Sequence, residues 1–272
     1  MAIFRASGYT TFQQEETGLI MKIDFDYSLY HSQYRSDEKA YMDYHARHLA
    51  HYIARWLTSV DKEAPILDFG CGVGCFLEAL KQAGFTQRIG IDTSFGMVER
   101  CVTLGNSAEH VAESLQFLIQ HPGHFGAIVM MDVLEHLPTS SHLEYFKALR
   151  SALKPGGLLL LRVPNADSAV ATHMRYSDIT HHACFSPRVI EFFLQLSGMT
   201  KLDIDDEIPY LNRPRHLWPH HKNTWIYLCY RFISTFFRAW RRLELSAYLG
   251  FEFGMATPIA PNFVVLSQRP LE

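Results

Sequence analysis

The segment Asp68-Phe69-Gly70-Cys71-Gly72-Val73-Gly74 sets a carboxylate two residues ahead of three alternating glycines, and a second carboxylate, Asp92, closes another short apolar run. Glycines in a bend between a strand and a helix let backbone approach a ligand, because no side chain blocks the way. A dinucleotide-binding bend needs glycine at its first, third and sixth positions, whereas here Cys75 occupies the sixth and Gly74 the fifth. A carboxylate beside the bend suits a ligand without pyrophosphate, and Asp68 is placed to hold a water or an amino group. Asp92, about twenty residues further on, is placed to accept both ribose hydroxyls of an adenosine.

A second constellation combines Asp132-Val133-Leu134-Glu135-His136 with Asp178-Ile179-Thr180-His181-His182. An Asp, a Glu and a His on one turn plus a distant His have the donor types for a hard or borderline divalent cation such as Mg or Mn. The candidate ligands are Asp132, Glu135, His136 and His181. Without a metal, His181 alone serves as general base, with His136 and Asp178 the other candidate catalytic residues. The plainer alternative is that Glu135 and His136 only cap a strand-to-helix turn.

These groups need elements to hold them. Leu49, Ile53, Trp56 and Leu57 have the spacing of an amphipathic helix, with His45, His48 and His51 on its wetter side. Strands are predicted at Ile66 to Phe69, Ile89 to Asp92, His110 to Ala112, Ala127 to Met131 and Leu158 to Val163. Helices are predicted near Cys75 to Ala83 and Met97 to Leu104. A further helix, with a Ser141/Glu144 capping box, buries Phe146, Leu149 and Leu153 before the Lys154-Pro155-Gly156-Gly157 turn. A helix at Pro187 to Leu196 and strands at Lys201 to Ile204 and Phe263 to Ser267 complete the pattern. Strand and helix in such alternation imply an α/β fold with a doubly wound, mostly parallel seven-stranded sheet and helices on both faces.

Four motifs in order, Asp68 to Gly74, Asp92, Asp132 to His136 and Leu153-Lys154-Pro155-Gly156-Gly157, resemble those of class I, Rossmann-like methyltransferases over about residues 45 to 205. The resemblance implies S-adenosylmethionine as cofactor, touching Asp68, Gly70, Cys71, Gly72, Gly74, Asp92, Thr93 and Met131. The second constellation is similar to methyltransferases acting on quinone-precursor catechols or on the terminal ribose of small RNAs. There a Glu-x-x-Glu-His motif and a later His hold a metal on adjacent hydroxyls, and here Asp132 replaces the first Glu. A further run, Val163-Pro164-Asn165-Ala166, Arg175-Tyr176-Ser177-Asp178, Thr180-His181 and Phe185-Ser186, resembles methyltransferases of bacterial surface-polysaccharide pathways. It implies O-methylation of a sugar hydroxyl, with Arg175, Tyr176 and His182 facing the acceptor. The rival acceptor is a small phenol or quinone precursor, and a rival of another class is a subunit that binds the cofactor without turnover.

The chain has 272 residues, a formal charge of -3 and 48% hydrophobic residues, so one main core is expected and no global attraction to nucleic acid. The sequence divides into an N-terminal leader and cofactor-covering segment at 1–40, a methyltransferase domain at 41–207 and 261–272, and an aromatic, mostly helical insertion at 208–260. Five cysteines without a Cys-x-x-Cys pair fit a reducing cytoplasm. The first twenty residues lack the pattern of a secretory signal. The apolar stretch 223–245 is broken by Arg231, Arg238, Arg241 and Arg242, which argues against a spanning helix. Read as a basic amphipathic helix, it leaves three roles open: contact with the inner face of the cytoplasmic membrane, a homodimer interface, or a cover over the sheet and acceptor cleft.

Overall fold

The computed structural model describes residues 38–207 and 222–271. Most of the predicted leader and the first part of the insertion, Trp218 included, lie outside them. The described residues begin with α1 (Glu38–Trp56), then β1 (Ile66–Phe69), α2 (Cys75–Gln82), β2 (Arg88–Asp92), α3 (Phe95–Thr103), β3 (Ala108–His110), α4 (Ser114–Gln120) and β4 (Phe125–Met131). Two 3₁₀ turns, Leu134–His136 and Thr139–Ser141, lead to α5 (His142–Ala152) and β5 (Leu153–Pro164). There follow α6 (Ala171–Tyr176), α7 (Pro187–Ser197), β6 (Thr200–Asp206), α8 (Lys222–Leu249), α9 (Phe251–Ala256) and β7 (Asn262–Gln268).

The seven strands form one sheet in the order β3-β2-β1-β4-β5-β7-β6. All neighbours are parallel except β7, which runs antiparallel to both β5 and β6. The central strands are apolar throughout, as a sheet covered on both faces requires. One core packs Leu67, Ile128, Leu159 and Phe263 against Phe146 and Ile190 of α5 and α7. The other packs Ile66, Val129, Leu160 and Val264 against Ile53 and Trp56 of α1 and Phe76 and Leu80 of α2. The doubly wound α/β fold expected from the alternation of elements is the one observed.

Several local expectations are corrected. The weak strand near His110 to Ala112 is shifted toward the N-terminus, at Ala108–His110, where it pairs with Gly90 to Asp92. No Ser141/Glu144 capping box forms, because a 3₁₀ turn precedes α5 and the Ser141 hydroxyl donates to the Pro138 carbonyl at 2.8 Å. Leu153 does not end α5 but opens β5, its register opposite Phe125. His45, His48 and His51 are half-buried rather than wet, with Nε2 of His48 and of His51 both out of solvent. The polar stretch after Pro164 contains a short helix, α6, that the periodicity did not reveal.

Candidate functional site

β1 ends at the bend, and Gly70 N and Cys71 N both donate to the Ile91 carbonyl of β2, at 2.8 and 3.0 Å. Gly70, Gly72 and Gly74 all have positive φ, at 78°, 52° and 88°. A Cβ on Gly70 would lie 2.4 Å from Val133 Cγ2, and one on Gly74 would lie 2.7 Å from Cys101 Sγ. A Cβ on Gly72 would meet nothing within 4 Å. Gly70 and Gly74 are therefore dictated by packing, whereas the open space at Gly72 is what a ligand approaching the backbone needs.

The two carboxylates differ in their surroundings. Asp92 Oδ2 accepts from Gly72 N at 2.9 Å and Oδ1 accepts from Ser94 N at 2.8 Å, so the second strand end braces the bend. Asp68 is 2% exposed and its Oδ2 has no hydrogen-bond partner. Burial, and then the charge of Asp92, pushes the Asp68 carboxyl up to about 7. A buried, unpaired carboxylate beside an open glycine fits a ligand that brings its own positive charge, as the amino-acid end of S-adenosylmethionine does. Thr93 is exposed, with its carbonyl 3.1 Å from His110 Nε2, and Met131 is half-buried at the end of β4. The Cys71 side chain packs inward with Leu77 and Cys101.

The second cluster forms past the carboxyl ends of β4 and β5. Asp132, with φ 56°, is the sole non-glycine residue of positive φ among the described residues. Its carboxylate does not join the candidate metal ligands: Arg162 Nε donates to Oδ1 at 2.9 Å and Nη2 to Oδ2. The turn after it carries Glu135, 1% exposed, whose Oε2 has no hydrogen-bond partner. Burial, with Asp132 adding to it, raises the Glu135 carboxyl well above the usual range. The Glu135 carbonyl accepts from His182 N at 2.6 Å, which ties this turn to the 178–182 loop.

Hydrogen bonding determines the tautomers of both histidines. Thr180 Oγ1 donates its single proton to Asp178 Oδ1 at 2.6 Å, so His136 Nδ1, 2.8 Å from that oxygen, must be the donor. His181 Nδ1 lies 2.7 Å from the Met174 carbonyl, which only accepts. Both rings therefore donate through Nδ1. The rings stand 4.6 Å apart, edge to face, and one donor atom from each of Glu135, His136 and His181 falls within 4.8 Å of the others. Burial, then His181, presses His136 down to about 4, which keeps it neutral. One carboxylate and two imidazoles, each held through Nδ1, are a suitable donor set for a divalent cation.

Of the predicted residues the fold thus gathers Glu135, His136, Asp178 and His181, and leaves out Asp132. Arg175 and Tyr176 sit on α6, the guanidinium 5.1 Å from the Tyr176 ring centroid, with the ring 74% exposed. The His182 side chain is exposed. Sequence reasoning missed Thr180, although Asp-x-Thr is an Asx-turn pattern. It also missed Arg162, whose partners are Asp132 and, at 3.0 Å, Glu207. A lone arginine inside the apolar run Leu158 to Val163 was the available signal.

The sequence pattern of the family described as "Methyltransferase domain" matches residues 40–203, more than half of the chain. The chain belongs to the methyltransferase domain family. A ubiquinone biosynthesis O-methyltransferase of Xanthomonas campestris pv. campestris is 36% identical over 111 residues, covering 39% of this chain and 45% of that protein. The methyltransferase chain thus matches less than half the length of that relative. Its fold is similar to that of a SAM-dependent methyltransferase from Archaeoglobus fulgidus, with a TM-score of 0.61, 19% identity and coverage of 89% and 99% of the two chains. The cyclase SpnF is also similar, at a TM-score of 0.51 and 17% identity, covering 84% of this chain and 82% of its own. Likeness to a cyclase leaves the chemistry of this methyltransferase fold to be argued from its site.

Proposed function

We propose that this chain is an S-adenosylmethionine-dependent O-methyltransferase whose acceptor carries adjacent hydroxyls of the phenolic or quinone-precursor class. The observation that carries the reading is the cluster of Glu135, His136 and His181, in which the buried Glu135 Oε2 has no hydrogen-bond partner and two imidazoles stand beside it. The ubiquinone-pathway name of the relative supports a phenolic acceptor over the sugar hydroxyl expected from the polysaccharide-type resemblance.

When bound, S-adenosylmethionine supplies a methyl carbon for in-line displacement by a nucleophilic oxygen. Asp68 pairs with its amino group, Asp92 accepts the ribose hydroxyls, and Gly72 leaves room for the chain's backbone to approach. Glu135, His136 and His181 would hold a divalent cation, which would supply Lewis-acid activation of an acceptor hydroxyl. The rest is orientation and proton removal, the usual tasks of a protein in such a transfer. In the rival reading without a cation, Nε2 of His181 would receive the hydroxyl proton and activity would survive chelator. Asp178, through Thr180, acts as a positioning residue that fixes the His136 tautomer. Arg175, Tyr176 and His182 flank the acceptor.

Methyl-labelled cofactor offered to a catechol and to nucleotide sugars tests this. Label should enter the catechol, chelator should abolish the reaction, and magnesium or manganese should restore it. Glu135→Gln and His181→Ala should keep cofactor affinity and lose at least about a hundredfold in turnover. Labelled sugar with an inert catechol would overturn the acceptor class, and full activity in chelator would overturn the metal.

A further inference from the structure

α8 is 28 residues long, and among the described residues most of its large apolar side chains are exposed, Leu245 being buried. At about 100° per residue, Phe232, Ile233, Phe236, Trp240 and Leu243 fall within an arc of roughly 100°. Each of them is at least half exposed, up to 75% at Phe232. Arg231, Arg238 and Arg242 fall on the opposite side, within about 40° of one another. The arginine side is the one rooted on the domain. Arg242 pairs with Asp206 at 3.7 Å, and its neighbour Arg241 donates to the Asp167 carbonyl at 2.9 Å, just before the buried Leu245.

An apolar face of this size is usually covered by something. No helix among the described residues is long and apolar enough to cross a membrane, so the covering is not that of a spanning segment. Segment 222–256 holds Lys222, Arg231, Arg238, Arg241 and Arg242 against only Glu244 and Glu252, in a chain whose overall charge is -3. Positive charge is thus concentrated on the helix that carries the aromatic arc, on its opposite side. Trp and Phe on one side and arginines on the other are the composition of a helix that lies in the plane of a bilayer interface. We infer that α8 docks this chain on an anionic lipid surface, its aromatic arc sunk among the acyl chains and its arginines level with the headgroups.

The roots of the helix indicate how the molecule then sits. Asp167 lies three residues past β5, and Asp206 ends β6, which runs parallel to β5 because both are antiparallel to β7. α8 is therefore fixed to the same edge of the sheet as the cofactor bend and the Glu135 cluster, and docking turns that edge toward the lipid. The inference does not depend on which acceptor is methylated, and its test reads binding alone.

Co-sedimentation of the full chain with vesicles of phosphatidylglycerol and phosphatidylcholine, against phosphatidylcholine alone, decides it. The wild type should pellet with the anionic vesicles and be released by salt. The double variant Phe236→Glu/Trp240→Glu should lose roughly a hundredfold in partitioning, about tenfold for each aromatic, while still binding S-adenosylhomocysteine. Should the double variant fail to fold, Arg238→Glu replaces it and should weaken binding to the anionic vesicles only. Wild type left in the supernatant would overturn the proposal. So would a vesicle-free dimer that the double variant dissolves, because a second copy would then be the occupant.

Discussion

Asp68 is a buried carboxylate with one oxygen unmatched by any group of the protein, and its pKa near 7 follows from that burial and from Asp92. The folded-state value lies above the model value of 3.8, so its contribution to stability is complete below about pH 4 and is lost as pH rises through 7. A cationic ligand prefers the ionised form, so cofactor affinity should move the opposite way. We expect affinity for S-adenosylhomocysteine to fall about tenfold per pH unit below 7. Asp68→Asn should abolish that slope, weaken binding and raise the melting temperature of the free protein at neutral pH. Calorimetry and thermal unfolding between pH 6 and 8 measure both, and a slope retained in Asp68→Asn would assign the proton to another group. At this scale the sequence shows where the carboxylate stands, but not that it is buried and unpaired, because burial depends on strands on either side of it.

The bend between β1 and α2 separates two reasons for glycine within one element. Gly72→Ala puts a methyl into space that no protein atom fills, so it should cost about 1 kcal/mol of stability through its positive φ yet weaken cofactor binding at least tenfold. Gly74→Ala drives its Cβ against Cys101 and Asn106, and should cost about 2 to 4 kcal/mol in stability through overpacking as well as φ. Urea denaturation beside cofactor titration distinguishes the two. Equal stability losses would mean that the space at Gly72 is not built for a ligand. The strand at Ile66 to Phe69 is read correctly from sequence to the residue, whereas β4 and β5 begin earlier than their apolar runs. The capping box at Ser141 and Glu144 is not, because the motif specifies a local hydrogen bond and the incoming chain direction, set by the preceding 3₁₀ turn, prevents it.

Across the whole molecule, the Arg162 network joins five elements. It reaches from β5 to Asp132 after β4 and to Glu207 after β6, and Glu207 in turn accepts from Tyr52 of α1 at 3.4 Å and from Asn262 of β7 at 2.7 Å. The Arg162 and Glu207 side chains are only 12% and 9% exposed, so this is a buried network rather than a surface pair. Arg162→Met strands Glu207 and frees the strained Asp132 turn that carries Glu135 and His136. We expect a loss of about 3 to 5 kcal/mol in urea denaturation. Partial recovery is expected in Arg162→Met/Glu207→Gln, which removes the stranded charge. No recovery would show that the Asp132 turn, and not Glu207, bears the cost.

The cofactor half of the site is legible from residue order alone. A strand, a glycine bend and the next strand's acidic end are separated by few residues, and short-range sterics force the geometry that the glycines permit. The alternating fold and the basic amphipathic helix follow in the same local way, whereas the sulfonium-type donor is implied by the family resemblance. The acceptor half needed the folded chain. Thr180 meets His136 across 44 positions, and Arg162 takes Asp132 across 30. Which carboxylate is left for a cation and which is spent on an arginine is thus a competition between groups that only the sheet brings together. The same holds for the face of α8 left uncovered, since periodicity defines an apolar stripe but only tertiary packing decides whether the domain itself covers it.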